Sequence, residues 1–440
     1  MREQYEKAQQ LGKLAFAERP YFGSPAAPAQ AESNASQIWG HINAGFLIGY
    51  EYSRWWKESL ALRQAAVLGD WSWLNKTRVR GRDAARLMDY ATVKDLSRQQ
   101  VGQIVYTPML SEAGKVAIEG LTLKLAEDEY LFTQSAGLRW LGFLRQKKDF
   151  KVELEDVTPD YTCYALQGPR STEILEKLTG ESWQDLRFSR FRTIEFEKTK
   201  TIVSRQGVTG EVGYEFLMRT DTGRAHELWR RLREVGRDFG LRELGFKAQM
   251  IGHTETGIAT VIQDYLPDRG TPEQLKKMLR YWMSREELDA AEWDVAEHLC
   301  SPAELGWGYT VDLQKKEFCG KEALREPQRR LMGLEWSSED MAELYAAQFR
   351  DASSAPPPDL PAGQFRVFFM RVLEGGWASG YAYSPTLRRM ISLARLDRGI
   401  QPGDKVQVRW GGFSDEPACA IRATVRALPF IAQQRTKNLS

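Results

Sequence analysis

Apolar and polar positions alternate or recur along this chain in a way that predicts both strands and helices. Over 51–67 the large residues Tyr52, Trp55, Trp56, Leu60, Leu62 and Val67 suit a helix, and 67–74 (VLGDWSWL) then alternates as a strand does. Residues 78–88 read as a strand end, a glycine turn and a helix start. Strand-like runs follow at 103–109, 116–125 and 130–134, the first two joined as a hairpin by Glu112-Ala113-Gly114. Residues 161–240 form the clearest unit. YTCYALQ is a strand, Gly168-Pro169 a turn, and 171–179 a helix capped by Ser171 or Thr172 and stopped by Gly180. Strands at 192–197 and 200–205, the turn GVTGEVG and the strand YEFLM come next. A helix over 222–239 follows, with Asp221 as cap, Gly240 as stop and Ala225, Leu228, Trp229, Leu232 and Val235 on one face. This order predicts an α+β sandwich with its helices on one side of a sheet. Residues 20–37 read as a loop or arm, 271–299 as a charged helical stretch and 352–363 as a Pro-rich connector. Short strands between glycine turns over 364–429 predict an all-β barrel or sandwich.

At 440 residues the chain exceeds what one hydrophobic core usually supports, so two or three domains are expected. Lys and Arg number 61 against 59 Asp and Glu, which gives no electrostatic reason for nucleic acid or an anionic membrane as partner. Cys163, Cys300, Cys319 and Cys419 lie far apart and none forms a CxxC pair. A disulfide framework or zinc site is therefore not expected, and a reducing cytoplasm fits. The four histidines form no paired ligand motif, so no metal is expected. No apolar run is long enough to span a membrane, and the charged start does not read as a signal peptide. Glycine signatures of nucleotide cofactors and a Gly-x-Ser-x-Gly elbow are missing. The 14 Trp, 16 Tyr and 19 Phe fit thick cores or a pocket for a flat ligand.

Three short constellations carry candidate chemistry. In GVTGEVGYEF three glycines let the backbone approach a ligand, and Glu215 sits between Tyr214 and Phe216 in an apolar strand. A half-buried carboxylate needs a partner. A pair of adjacent N–H donors would serve, whether a pterin edge or an arginine. Taken alone, a hairpin with Arg205 as that partner is the simpler reading. Gln167 in YALQGPRS ends a strand where its amide could read a ring edge, although ordinary strand–turn–helix chemistry accounts for it as well. In KAQMIGHTETG, His253 with Glu255 two residues on could move a proton near neutral pH, although lone histidines are more often structural.

In order, QGPRSTEILEKLTG, SRQGVTGEVGYEFL, ELGWGYTVDLQKKEFCGKEAL and AYSPTLRRMISLARL resemble blocks of the aminomethyltransferase (glycine-cleavage T-protein) superfamily. Within it, Glu51-Tyr52-Ser53-Arg54-Trp55 and the helical stretch with Arg280-Tyr281-Trp282 resemble tetrahydrofolate-dependent aryl O-demethylases of the vanillate and syringate type. The resemblance implies a three-domain α+β fold around a central folate site: 1–160 plus 243–300, a ferredoxin-like 161–242, and a C-terminal β-barrel or jelly roll over 301–440. It implies tetrahydrofolate held by Glu215, Gln167, Arg205, Glu119, Phe132 and Tyr214. A methoxy-aromatic substrate would lie against Tyr52, Trp71, Trp73, Gln134, Gln249 and Ile258, with His253 as proton donor.

Departures accompany the resemblance. Glu119 stands where an aspartate is expected, and Gln249 aligns with a catalytic tyrosine. Gln134 aligns with a carboxylate-holding arginine, and Trp71 with an active-site glutamine. The activity so implied is methyl transfer from an aromatic methyl ether to N5 of tetrahydrofolate. Sulfonium demethylation, aminomethyl transfer and a non-enzymatic folate-binding maintenance role are the alternatives.

Overall fold

Alternation in YTCYALQ and GYEFLMR does what a period of two requires: it builds a sheet with one face under helices and the other against a second sheet. The structure, a computed structural model, describes all residues except 11–20, 43–44, 135, 221–222, 281–282, 284–287, 289–293, 352, 361–368, 412–416 and 440. Two compact units result, one of 1–107, 118–252 and 433–440, the other of 108–117 and 253–432.

In the first unit a six-stranded sheet runs in the order Phe191–Phe196, Thr199–Ser204, Gly213–Arg219, Tyr161–Gln167, Val67–Asp70 and Arg242–Glu243. The helices Ser171–Thr179 and Ala225–Gly236 cover its outer face, where Tyr164, Leu166, Tyr214, Phe216 and Met218 meet Leu175, Leu228, Trp229 and Leu232. A second sheet, of order Ile104–Leu110, Val116–Ala126, Glu129–Thr133, Lys76–Arg80 and Glu153–Asp156, faces the inner side of the first. Cys163, Ala165 and Leu217 from one sheet and Leu121, Leu123 and Leu131 from the other fill the layer between them, with Trp71. The fold class is α+β, as expected.

Several local expectations change. Residues 27–33 are helical, with Pro28 in the first turn, although their composition reads as loop. Tertiary contacts decide it: Gln30 Nε2 donates to Asp70 at 2.7 Å, and Arg233 Nη1 donates to the Ala29 carbonyl at 2.8 Å. The strand expected over 67–74 stops at Asp70. There Asp70 Oδ1 accepts from Ser72 N (3.0 Å) and Ser72 Oγ (2.6 Å), which turns the chain. The helix 171–179 has Arg170 at its N-cap and no side-chain cap, because Ser171 Oγ donates instead to the Val212 carbonyl at 3.1 Å. Gly180 and Gly240 end their segments in the left-handed region as expected, at φ 71° and 73°. Asp221, Tyr281 and Trp282 lie outside the described residues. Of the stretch 271–299, Pro272–Leu279 is α-helix and Val295–His298 a 3-10 turn.

In the second unit six antiparallel strands order as Met370–Arg371, Gly376–Ser384, Arg389–Asp397, Arg329–Trp336, Ala418–Arg426 and Lys405–Gly411. Leu373 N donates to the Gln407 carbonyl at 2.9 Å and Val372 bridges Val408, so the sheet's two edges meet in a nearly closed barrel. Sequence patterning missed its strand Arg329–Trp336 and the helix Ser338–Ala347, whose cap Ser337 accepts from Asp340 N at 3.2 Å.

One buried carboxylate fixes the start of the first unit. Glu58, fully buried, accepts from Tyr52 N (2.9 Å), Ser53 N (2.7 Å) and Gly245 N (2.9 Å), and burial raises its pKa despite those donors. Glu58→Ala strands three backbone donors, two of them buried, and is expected to cost about 3 kcal/mol, read as a lower urea midpoint.

Candidate functional site

The turn between Ser204 and Gly213 folds around one amide. Gln167 is fully buried; its Nε2 donates to the Gln206 carbonyl at 3.0 Å and its Oε1 accepts from Thr209 Oγ1 at 3.0 Å. Gly207 and Gly213 are glycines for lack of room. A Cβ on either would fall 1.8 and 2.2 Å from the Gln167 amide. Gln167 therefore shapes the loop from within. A second clamp comes from Arg63, whose Nη1 donates to the Thr209 carbonyl (2.7 Å) and to Glu211 (2.9 Å). On the other side, Gln434 N and Arg435 N donate to the Gly210 carbonyl at 2.6 and 3.1 Å.

Two residues past this loop stands Glu215. It pairs with Ala165 across the sheet and alternates with Leu217, which points it into the inter-sheet layer. Its carboxylate is half-buried and has no hydrogen bond or ion pair among the described residues. Burial pushes its pKa up to about 7 against the pull of Lys76. Arg205, the partner expected from sequence, is turned away: Nη1 donates to the Leu186 carbonyl at 3.0 Å and Nη2 to the Lys437 carbonyl. Lys76 is itself buried and donates to the carbonyls of Ser72 (3.1 Å) and Leu74 (2.6 Å), so burial lowers its pKa.

Glu119 faces the same layer from the opposite sheet, in alternation with Leu121 and Leu123. Gln134 Nε2 donates to its Oε1 at 2.8 Å, and burial pushes its pKa up to about 7 against hydrogen bonds from Gln134 and Tyr106. Trp71 lies in this layer too, and its indole N–H donates to Gln249 Oε1 at 3.2 Å. The four positions that depart from the demethylase pattern are thus joined as two hydrogen-bonded pairs, Trp71–Gln249 and Glu119–Gln134.

Other expected residues lie elsewhere. Tyr214 points to the outer face, sealed against Trp183, with its hydroxyl on Thr172 Oγ1 at 3.0 Å. A one-residue step along a strand reverses the side, so it cannot share a ligand with Glu215. Phe132 is buried on its sheet's opposite face, in the space beside Gly120 and Gly137. Tyr52 is buried against Gly49 and edge-on to Trp39. Trp73 packs with Tyr5, Phe22 and Phe46, not with Trp71, so the two tryptophans do not form one wall. The helix Phe246–Thr256 carries Gln249 in the first unit and His253 in the second; Ile258 follows in the second. His253 Nδ1 lies 3.1 Å from Thr260 Oγ1, its Nε2 is buried without a partner, and burial lowers its pKa to about 4. The ring is neutral at pH 7, which removes the imidazolium acid that the sequence suggested.

Among the described residues no cluster of His, Cys, Asp and Glu could hold a metal ion, and no helix is long and apolar enough to cross a membrane. The chain is 28% identical over 364 residues to an aminomethyltransferase of Alkaliphilus metalliredigens, covering 80% of this chain and 84% of that one. It is equally 28% identical over 377 residues to an aminomethyltransferase of Caldanaerobacter subterraneus subsp. tengcongensis, covering 83% and 86%. The fold is similar to that of the glycine cleavage system aminomethyltransferase T from Bartonella henselae, with a TM-score of 0.71 and 19% identity over 95% of this chain and all of that one. Residues 40–274 match the GCVT N-terminal domain family, and the chain belongs to that family.

Proposed function

We propose that this protein transfers a one-carbon unit to tetrahydrofolate, and that the unit is the methyl group of an aromatic methyl ether. The observation that carries the folate part is Glu215: a half-buried carboxylate without a partner, beside a loop that brings backbone close to the same space. The 2-amino-pyrimidinone edge of a pterin offers two parallel N–H donors, which such a carboxylate accepts bidentately. Gln167 holds the loop in shape, and the leucines and Trp71 of the layer suit a flat ring. When bound, tetrahydrofolate supplies a nucleophilic N5 amine that takes up the one-carbon unit.

Demethylation of an ether asks the protein for a proton on the departing phenolate. Glu119, poised near 7, suits that role better than His253, poised near 4. The ether reading rests on the resemblance at residues 51–55. The names of the relatives favour a second reading, aminomethyl transfer.

One assay separates the two. The protein is incubated with tetrahydrofolate and either methoxy-aromatic compounds or an aminomethyl donor, and the folate products are analysed. Formation of 5-methyltetrahydrofolate with the matching phenol is the expected result. Turnover of the aminomethyl donor alone would sink the ether reading and keep the folate site.

A further inference from the structure

We propose that the inter-sheet layer selects a one-carbon donor that carries no carboxylate, because its inner faces present two carboxyl groups without an ion pair among the described residues, while its inward cations are engaged or sit at exposed strand ends. The inference rests on the reading of this layer as the one-carbon site.

The charges facing the layer decide it. Glu215 comes from one sheet and Glu119 from the other. Lys76 is bound to two backbone carbonyls, and Arg78 donates to Glu155. Arg80, Lys200 and Arg219 sit at exposed strand ends, Arg219 over the Tyr161 ring. The Gln134 amide gives an N–H to Glu119 and carries no charge that would offset an incoming carboxylate. In a layer otherwise mainly apolar, an anion brought beside Glu119 meets like charge with little water to screen it. A neutral or cationic donor meets none of this. It gains the Trp71 ring and the hydrogen-bonding capacity of Glu119. The Trp71–Gln249 bond matters here because it fixes the indole that such a ring would lie against.

The test uses two ethers that differ in the carboxylate, 2-methoxyphenol and 4-hydroxy-3-methoxybenzoate, titrated calorimetrically into the full chain. At pH 8, with Glu119 and Glu215 ionised, 2-methoxyphenol is expected to bind at least about tenfold tighter, a modest gap for one like-charge contact. At pH 6 Glu119 takes up its proton, and the gap is expected to narrow; Gln134 and Tyr106 hydrogen-bond Glu119, while Glu215, Lys76 and the Arg78–Glu155 pair face the same layer from the neighbouring strands. Glu119→Gln, close in shape, should narrow the gap at pH 8. Equal or tighter binding of the benzoate at pH 8 overturns the proposal, as does binding of neither compound. So does a gap that responds neither to pH nor to Glu119→Gln. Failure of the folate reading shows up separately, as tetrahydrofolate affinity that Glu215→Gln leaves unchanged.

Discussion

Glu215→Gln is expected to weaken tetrahydrofolate binding about 10²-fold and to flatten its dependence on pH. The magnitude follows from replacing a bidentate charged acceptor with an amide that offers one acceptor and one mismatched donor. The sign of the pH effect follows from the carboxyl's own titration. In the free protein it is protonated below about 7, and a donor pair requires the ionised form. Binding must therefore expel a proton below that pH, and affinity should fall by up to about tenfold per unit as pH drops below 7, then level off above it. The same group makes the opposite prediction for the empty protein. A carboxyl whose pKa is raised on folding favours the folded state less as pH climbs from its usual value toward 7. Glu215→Gln should then raise the melting temperature at pH 8 and leave it nearly unchanged at pH 5. A variant that binds folate normally, with the native pH profile, would remove Glu215 from the site.

How far this arrangement could be read from the chain depends on the distance over which each contact acts. The strand YEFLM and its loop were legible, because alternation and glycine spacing are local. Strict use of the same alternation also excludes Tyr214, which the resemblance had placed beside the ligand. The loop's internal support was hidden, since Gln167 acts on Gln206 and Thr209 about forty positions later. Trp71 and Gln249 are 178 positions apart, and their hydrogen bond leaves no mark in either neighbourhood. Small polar neighbours made His253 look accessible and titratable, whereas its burial is set by residues that no motif contains. The helix Ala27–Ser33 was lost for a related reason: Pro, Ala and Ser favour a loop until Asp70 and Arg233 supply partners.

Gly213→Ala should damage both stability and the site, through contact and not through backbone conformation. Gly213 does not have a positive φ, so an alanine could adopt its dihedrals. The obstacle is Gln167, whose Nε2 and Cδ would lie 2.2 and 2.3 Å from the new methyl. Gln167 has nowhere to retreat: it is fully buried and bound at both ends of its amide. Overpacking costs about 1–3 kcal/mol, and losing the bonds to Gln206 and Thr209 adds about 1 kcal/mol for each. A total of about 3–5 kcal/mol should show in the urea midpoint. Glu215, two residues on, would move with the strand end and weaken folate binding further. The companion Gln167→Ala removes the obstacle and the two hydrogen bonds together. If the clash is the cause, Gly213→Ala made on top of Gln167→Ala should add almost nothing to the loss of stability. Additive losses in the double variant would place the damage in the backbone instead, and the close packing of Gln167 against the loop would lose its role in shaping the site.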